Sequence, residues 1–413
     1  MASHGSMFDV AIVGAGPAGA TAATLLARAG HRVVLLDRAN FPRDKPCAEN
    51  LSPAAEPILR ELGALEAITL GPVGRLRGFR VYAPNGATFQ GDYAGTKDAR
   101  GRALHETGLV VPRLRLDATL VEAARRSGAE VREGWRLGAL APLGDAPTRG
   151  YQLAAASGQS NITARLVIAA DGVHSTVARR LGLARPGRLR KIGLVAHLRG
   201  IAGVGDYTEM HVAARRYVGI APLEDTGAGD LCNVAMVVDE ARDGRAVAGR
   251  ATAFLLEALA TFPALAGRLE RATLTRRVLA VSRLNVRARR MSGAGVLLVG
   301  DAAGYYDPFT GEGMYRALRG AQLAATVAGD ALVGGDTSAA ALVRYDRLMR
   351  AEFRGKRTVE AIIQSAVQLP PFLNHVAAVL GRDQSLADTV VGVTGDFLPA
   401  SAVLRPGFLL RLL

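Results

Sequence analysis

The sequence predicts an α/β fold in which a doubly wound parallel sheet is interrupted by a second, antiparallel sheet and followed by helices. A strand, a glycine turn, a helix and a second strand follow one another between residues 8 and 37, which is the order of a βαβ unit. Strand-like segments at 76–92 and 192–238 interrupt this pattern twice. Beyond Gly313 the pattern is mostly helical to about residue 382.

Local composition defines the first βαβ unit. Residues 8–13 and 32–36 are short apolar runs typical of buried strands, and the second run ends at Asp37. Residues 18–29 are rich in alanine and leucine, which favour a helix, and Gly30 suits its C-terminus. We therefore expect these residues to form two parallel strands that are joined by a crossover helix.

Further elements follow along the chain. Residues 40–60 are proline-rich and irregular before they become helical, and residues 113–127 have the apolar spacing of an amphipathic helix. Short apolar runs at 166–170 and 296–299 predict two more buried strands. A Gly/Asp turn at 225–230 separates strands of the second sheet. A chain of 413 residues with these elements predicts two or three subdomains folded as one unit.

Composition excludes several classes of protein. Hydrophobic residues make up 49% of the chain and charged residues 21%, which is globular composition rather than disorder. The two cysteines, Cys47 and Cys232, are too few for a disulfide framework, so we expect a cytoplasmic, reducing compartment. No His/Cys cluster has the spacing of metal ligands, and we predict no metal site. The opening MASHGSM is typical of an expression tag, with the natural start expected at Met7.

The net charge of +14 is compatible with an anionic partner, which could be nucleic acid, a membrane surface or a cofactor. The arginines occur as dispersed pairs without interleaved aromatic residues, so we predict a solvated basic surface and no nucleic acid. Residues 10–27 carry no charge and approach the length of a membrane span. Their glycines and Pro17 favour a strand, a turn and a buried helix instead.

The glycine turn carries the first chemical signal. Gly14, Gly16 and Gly19 allow a tight turn, close approach of the backbone to a pyrophosphate, and helix–strand packing. The helix that follows offers free N–H groups to phosphates, and Asp37 ends the next strand where it can accept ribose hydroxyls. The pattern predicts a dinucleotide and fits FAD and NAD alike. Gly14, Gly16, Gly19 and Asp37 are expected near its adenosine half, and Pro17, Ala18 and Arg38 are also expected to bind the cofactor.

Two further motifs distinguish the cofactors. VIAADGVHS stands at 167–175 and VLLVGDAAGYYDPFTGEG at 296–313. With these motifs the chain resembles the FAD-dependent aromatic hydroxylases (group A flavoprotein monooxygenases), and more closely their geranylgeranyl reductase-like branch. The resemblance implies that Asp171 and Gly172 lie near the pyrophosphate of FAD. It likewise implies that Gly300 and Asp301 hold the ribityl chain or its phosphates.

The same resemblance extends to two other segments. FPRDKPCAENLSP resembles the first loop of the family, which places Arg43 and Cys47 beside the flavin, and VPRLRLD resembles a helix start at which Arg113 contacts FAD. From Pro308 through Gly311 to Gly313 the chain turns into a helix whose first N–H groups would face the pyrimidine edge of the flavin. We expect Glu312 to complement the dipole of that helix.

The predicted fold class is therefore an FAD-binding doubly wound (Rossmann-like, glutathione reductase type) domain with an inserted antiparallel-sheet substrate domain and a helical C-terminal region. We assign 7–75, 102–185 and 275–335 to the FAD-binding domain, 76–101 and 186–274 to the substrate domain, and 336–413 to the helical region. His211, Tyr217 and Phe309 are predicted to line the substrate pocket. The sequence identifies no catalytic base.

The resemblance implies an oxidoreductase that takes electrons from transiently bound NADPH or NADH. We predict a monooxygenase that hydroxylates an aromatic or polyketide-like molecule of secondary metabolism. A reductase of isoprenoid double bonds is the alternative, although its aromatic-Trp-x-Phe-Pro strand is replaced by YVGIAP at 217–222. A halogenase does not fit, because the single tryptophan, Trp135, lies outside the corresponding strand. A non-catalytic FAD-binding protein has the least support.

The remaining expectations concern partners. We expect an apolar or aromatic small molecule as the substrate, and the sequence leaves the oligomeric state open. The C-terminal tail, FLPASAVLRPGFLLRLL, is apolar with two arginines. It can pack on the core or contact a membrane surface, and its length and prolines favour packing.

Overall fold

The computed structural model describes residues 7–93, 107–156, 158–187, 189–223, 231–396 and 398–412. The predicted turn at 225–230 and the segment 94–106 lie outside these residues. The strands are β1 (Phe8–Val13), β2 (Val33–Leu36), β3 (Asn50–Leu51), β4 (Gly74–Leu76), β5 (Gly78–Tyr82), β6 (Thr88–Asp92), β7 (Gly108–Val110), β8 (Glu130–Arg132), β9 (Leu137–Pro142), β10 (Tyr151–Ala155), β11 (Ile162–Ala169), β12 (Ala184–Pro186), β13 (Lys191–Arg199), β14 (Tyr207–Ala213), β15 (Arg216–Pro222), β16 (Leu231–Asp239), β17 (Thr273–Ser282), β18 (Val286–Ala288), β19 (Ser292–Gly293), β20 (Val296–Leu298) and β21 (Gly304–Tyr305).

Helices occupy much of the remaining chain. They are α1 (Pro17–Arg28), α2 (Glu56–Glu61), α3 (Leu65–Thr69), α4 (Arg113–Arg126), α5 (Thr176–Arg180), α6 (Glu240–Val247), α7 (Ala251–Leu259), α8 (Gly313–Val333), α9 (Ala339–Glu352), α10 (Lys356–Gln368), α11 (Pro370–Leu380), α12 (Gln384–Thr394), α13 (Ser401–Leu404) and α14 (Pro406–Arg411). Within the described ranges, none of these helices is long and apolar enough to cross a bilayer.

The first sheet confirms the predicted α/β unit. Strand β1 lies between β2 and β11 and is parallel to both, while β8 and β20 extend the parallel sheet on either side. The predicted strand at 8–13 is found at those bounds, and all its residues except Asp9 are buried. The uncharged run 10–27 forms parts of β1 and α1, as expected. The carboxyl ends of these strands therefore share one edge, where ligands of doubly wound sheets bind.

The second sheet has the order β17-β13-β16-β15-β14-β5-β6. Neighbouring strands are antiparallel except β14 and β5, which run parallel; β5 and β6 come from the earlier segment of the chain. The sheet also includes β17, so it extends to Ser282 and not to 274. Strand β17 is an edge strand with many exposed side chains, and its sequence therefore lacks the apolar alternation of its neighbours.

The helices after residue 336 divide between the two sheets. Helix α9 packs on the first sheet, where the Tyr345 hydroxyl donates a hydrogen bond to the Leu298 carbonyl at 2.9 Å. Helices α10 to α14 instead surround the β5–β6 end of the second sheet, and their apolar residues share a core with Phe79 and Phe89. The region 336–413, which was predicted to be one helical unit, therefore consists of two parts that pack on different sheets.

Candidate functional site

A cavity of about 170 Å³ lies between the carboxyl edge of the first sheet and one face of the second. The second sheet contributes mostly small side chains, among them Gly193, Gly219, Ala221 and Ala235. Most of the predicted cofactor residues are brought together on the opposite wall. They are Gly16, Pro17, Ala18, Cys47, Arg113, Gly172, Gly300, Asp301, Pro308, Gly311 and Gly313.

The glycine turn brings α1 close to β1. Gly14 has a φ of +101°, and a Cβ on it would lie 2.4 Å from the carbonyl oxygen of Ala170. A Cβ on Gly19 would lie 1.8 Å from the carbonyl oxygen of Gly14. These two glycines therefore act through packing and do not line the cavity, whereas Gly16 faces it at the N-terminus of α1.

The acid at the end of β2 is held by the same turn. The N–H groups of Ala15 and Ala39 donate to the Asp37 carboxylate at 2.8 and 2.9 Å. Asp37 is buried beside the turn, in the place where a ribose-binding carboxylate is expected. Arg38, the next residue, has an exposed side chain.

Two arginines share one buried carboxylate above Gly16. Arg113 donates two hydrogen bonds to Asp117, at 2.8 and 2.7 Å, and Arg43 Nη1 lies 2.8 Å from the same carboxylate. A Cβ on Gly16 would lie 3.5 Å from Arg43 Nη2 and 3.8 Å from Arg113 Nη2. Burial lowers the pKa of Arg113, but Asp117 outweighs it and holds the guanidinium charged. Arg113 thus lines the cavity, and Arg43, which does not line it, is fixed beside Gly16.

Lys45, which was not predicted from the sequence, adds a third cation. Its Nζ lies 3.9 Å from the Asp301 carboxylate, and a Cβ on Gly172 would lie 3.4 Å from the same Nζ. Burial lowers the pKa of Lys45; Asp301 opposes this shift and Arg113 adds to it. Lys45 is in the quoted loop FPRDKPCAENLSP, so its position beside Arg43 was the available signal.

Asp171 does not line the cavity itself but lies next to Gly172, which does. One of its oxygens accepts the N–H groups of Thr176 and Val177, at 2.6 and 3.2 Å, and so holds the start of α5. Its other oxygen, Oδ1, is buried and has no hydrogen-bond partner within the described part of the chain. Gly172, with a φ of +81°, lines the cavity directly.

These features fit FAD. Arg43, Lys45 and Arg113 place positive charge beside Gly16 and the free N–H groups of α1, which suits a diphosphate. Asp301 follows β20, where a carboxylate meets hydroxyl groups at the end of a parallel strand. The turn from Pro308 to Gly313 leads into α8 and lines the far side of the same cavity. The chain's own residues can therefore hold both ends of a dinucleotide.

The predicted pocket residues Tyr217 and Phe309 lie at the cavity. Their rings meet edge to face at 4.9 Å between centroids, and both line the cavity. The Tyr217 hydroxyl donates to Asp307 at 2.5 Å, and Lys191 Nζ lies 2.8 Å from the same carboxylate. Burial, together with Asp307, raises the pKa of Tyr217 well above its ordinary value, so this hydroxyl stays protonated.

His211 does not line the pocket, contrary to the sequence prediction. It lies on β14 with its ring stacked on Tyr82 at 4.4 Å and its Nε2 2.9 Å from Glu209. Alternate residues of a strand face opposite sides, and on β14 it is Thr208 and Met210 that face the cavity. Glu209 is in turn bound by Arg268 at 2.9 and 3.0 Å, so His211 belongs to a buried structural cluster.

A buried polar network that sequence reasoning missed is centred on Glu49. Its carboxylate is bound by His197 at 2.8 Å, Asn233 at 2.7 Å, Arg276 at 3.3 Å and the Arg113 N–H at 3.1 Å. Burial raises the pKa of Glu49, but His197 and the other donors outweigh this and lower it overall. The one available signal was a polar asparagine within the valine-rich strand LCNVAMVV.

This network fixes the loop that carries Cys47. Asn233 Nδ2 donates to the Cys47 carbonyl at 3.0 Å as well as to Glu49, which has a φ of +64°. The Cys47 thiol in turn accepts the Glu49 N–H at 3.3 Å and lines the cavity. The second sheet therefore positions the first loop of the FAD-binding domain.

Glu312 departs from its expected role. It precedes α8, but its side chain does not cap the helix; it pairs with Lys356 at 3.3 Å, and Lys356 also pairs with Asp396 at 2.9 Å. Burial and the neighbouring Asp396 raise the pKa of Glu312 to about 8. Two carboxylates, with Glu360 nearby, thus share one lysine at the start of the helix that borders the cavity.

A pH dependence of stability follows from this cluster. Between its ordinary pKa of 4.5 and about 8, folded Glu312 keeps a proton that the unfolded chain releases. The free energy of unfolding therefore falls as pH rises through this range. Each pKa unit corresponds to about 1.4 kcal/mol. We therefore expect the free energy of unfolding, measured with urea, to fall between pH 5 and pH 9. This fall should be at least about 1 kcal/mol larger in the wild type than in Glu312→Gln. Glu257→Gln, which alters an exposed pair with Arg250, is the control; equal falls in all three proteins would contradict this role.

A second cavity, of about 150 Å³, adjoins the first. Phe79, Met210 and Phe309 line both cavities, so the two share a wall beside Tyr217. The other walls are mainly aliphatic and aromatic side chains of β5, β6 and α10 to α14, together with Thr310 and Thr394. No ionisable side chain of the described residues lines it. We call it the apolar cavity.

Comparison with known proteins places these features in a family. Residues 7–354 match the family described as "FAD binding domain". Digeranylgeranylglycerophospholipid reductase 1 of Methanothermobacter thermautotrophicus is 31% identical over 83% of this chain and 82% of its own. Conditioned medium factor receptor 1 of Dictyostelium discoideum is 28% identical over 97% of this chain and 79% of its own. Menaquinone reductase of Mycobacterium tuberculosis is 38% identical over 42% of this chain and 40% of its own.

Solved structures show the same fold at lower identity. A flavoprotein/dehydrogenase from Cytophaga hutchinsonii superposes with a TM-score of 0.80 at 18% identity, covering 98% of this chain and 96% of its own. The flavin-dependent halogenase CmlS superposes with a TM-score of 0.76 at 23% identity, covering 97% and 76%. The family match and the reductase match each span most of the chain. The protein therefore belongs to the FAD-binding family of the FAD-dependent aromatic hydroxylase superfamily, which includes the geranylgeranyl reductases, and is an FAD-dependent oxidoreductase.

Proposed function

We propose that this enzyme reduces carbon–carbon double bonds in a long isoprenoid chain. The observation that carries this proposal is the apolar cavity, which adjoins the cofactor cavity at Phe79, Met210 and Phe309. An extended hydrocarbon chain needs an uncharged, enclosed path, and burial of such a chain stabilises its complex by about 25 cal/mol per Å². The similarity to a digeranylgeranylglycerophospholipid reductase, over 83% of this chain, supports the same substrate class.

The roles of the chain's own residues follow from their positions. Gly16, the start of α1, and Arg113 would bind the diphosphate of FAD, and when bound FAD supplies the two-electron chemistry. The second sheet covers the cofactor cavity and excludes water, while Tyr217 is held in place by its hydrogen bond to Asp307. The small residues Gly219 and Ala221 leave room on that sheet for the reacting part of the substrate. We propose NADPH or NADH as the electron donor.

The monooxygenase predicted from the sequence is the second candidate. The observation that favours it is the strand β15, which lacks the tryptophan of the reductase pattern and presents Gly219 and Ala221 to the cavity instead. A cofactor cavity bounded by small residues also suits a broad aromatic molecule. In that case dioxygen would be consumed and one oxygen atom would enter the product.

An anaerobic assay separates the two candidates. We expect protein loaded with FAD and supplied with NADPH or dithionite to reduce digeranylgeranylglycerophospholipid or menaquinone, with mass spectrometry showing two hydrogen atoms added per reduced double bond. The electrons come from the donor and the second hydrogen from a proton, so no oxygen is required. Substrate-dependent oxygen uptake in air, with a product heavier by one oxygen atom, would establish the monooxygenase and contradict the reductase.

A further inference from the structure

Exposed apolar side chains surround the outer end of the apolar cavity. Ile362, Phe372 and Leu409 line this cavity and yet are 41%, 44% and 42% exposed, so the cavity opens to the surface between α10, α11 and α14. Leu369, whose carbonyl accepts the Phe372 N–H at 3.0 Å, is 57% exposed, and Leu410 is 69% exposed. We call these five residues the mouth.

The mouth is unusual for this chain. Five of the twelve large hydrophobic residues exposed within the described ranges belong to it, and the other seven are distributed over the rest of the chain. A contiguous apolar surface of this kind marks an interaction site rather than ordinary surface composition. Because the mouth continues into the apolar cavity, its partner is itself apolar.

The charge around the mouth is low, and the three arginines and three aspartates of residues 361–413 balance each other. Residues 361–413 contain six charged side chains in 53 residues, against 21% for the whole chain. Their acids are engaged: Asp396 binds Lys356, Asp383 binds Arg411 at 2.5 Å, and Asp388 accepts the Asp92 N–H. Arg405 is exposed one helical turn before Leu409 and makes no ion pair with the described residues. An anionic surface complements the exposed guanidinium group of Arg405.

We propose that the mouth docks on the surface of an anionic lipid bilayer, so that the apolar cavity opens into the acyl-chain region. The helices α10 to α14 have 4 to 13 residues, which suits a part of the protein that lies on the membrane and does not span it. The inference concerns where the protein works and holds for either reaction. It also refines the expectation for the tail, which packs inward at Phe408 and exposes Leu410.

Flotation with lipid vesicles tests the docking without any assay of activity. We expect the full-length protein to float with phosphatidylcholine vesicles that contain phosphatidylglycerol, and less with phosphatidylcholine alone. The double variant Leu369→Glu/Leu410→Glu should lose binding by roughly tenfold or more. Removing one positive charge with Arg405→Gln should weaken binding to the anionic vesicles by about fivefold, an effect that added salt abolishes.

Matched controls are available on other surfaces. Leu70 and Val333 are 88% and 84% exposed, and Leu70→Glu and Val333→Glu should bind vesicles like the wild type. Retained flavin and circular dichroism show that each variant is folded. Absence of vesicle binding, or equal binding by the double variant, would overturn the proposal. A dimer in solution that the double variant converts to a monomer would also overturn it, because a second copy would then cover the mouth.

Discussion

Replacing Asp117 by leucine should lower the free energy of unfolding by about 3–5 kcal/mol, the cost of breaking a buried ion pair. The Asp117 carboxylate is fully buried and binds both Arg113 and Arg43. Without it, the two guanidinium groups beside Gly16 have no shared counter-charge. Their orientation beside Gly16 is also lost, so the purified protein should retain less FAD. Urea unfolding and the visible absorbance of bound flavin measure the two effects.

The chain provides a control of the same residue type. Asp330 pairs with Arg344 at 2.6 Å, but its side chain is 60% exposed, and Asp330→Leu should cost less than about 1 kcal/mol. The double variant Asp117→Leu/Arg113→Met removes one of the two stranded charges and should recover part of the lost stability. If Asp117→Leu costs no more than Asp330→Leu, the shared carboxylate does not organise this wall.

The first βαβ unit was predictable because its signals are local. The apolar run of β1, the glycines at 14, 16 and 19, and the alanine-rich helix each act within a few residues. Steric limits on the glycine turn are equally local, as the close approach of Gly19 to the Gly14 carbonyl shows. The bounds of β1 and the start of α1 therefore agree with the pattern to within one residue.

The site was less predictable because its contacts join distant segments. Glu49 meets His197, Asn233 and Arg276 across three strands of the second sheet, and no periodicity in any one segment specifies that meeting. His211 shows a different limit. The sequence of a strand shows that its side chains alternate between two faces, but it does not show which face meets the cavity. Whether Met210 or His211 lines the cavity depends on how the second sheet lies against the first domain.

The apolar cavity had no sequence signal for a related reason. Helices α10 to α14 have ordinary amphipathic patterns, which predict packing against a core but not an unfilled space within it. The space arises because these short helices surround β5 and β6 without closing over them.

Filling this cavity should separate long substrates from short ones. Ala366 is buried on α10, lines the apolar cavity and does not line the cofactor cavity. A phenylalanine there occupies the path of an extended chain, and a misplaced substrate can lose about 100-fold in rate. We therefore expect Ala366→Phe to reduce turnover of a substrate with four isoprene units by about 100-fold.

A substrate with a single isoprene unit fits beside the small residues of β15 and does not reach α10, so its turnover should stay within about twofold of the wild type. Ala361→Phe, on the same helix but away from the cavity lining, controls for the added ring. Flavin content and the rate of flavin reduction by the donor should be unchanged in both variants, because neither residue lines the cofactor cavity. An equal loss for long and short substrates would show that α10 supports the fold generally. The apolar cavity would then not be the path of the chain, since only steric occupation of that path makes the effect depend on chain length.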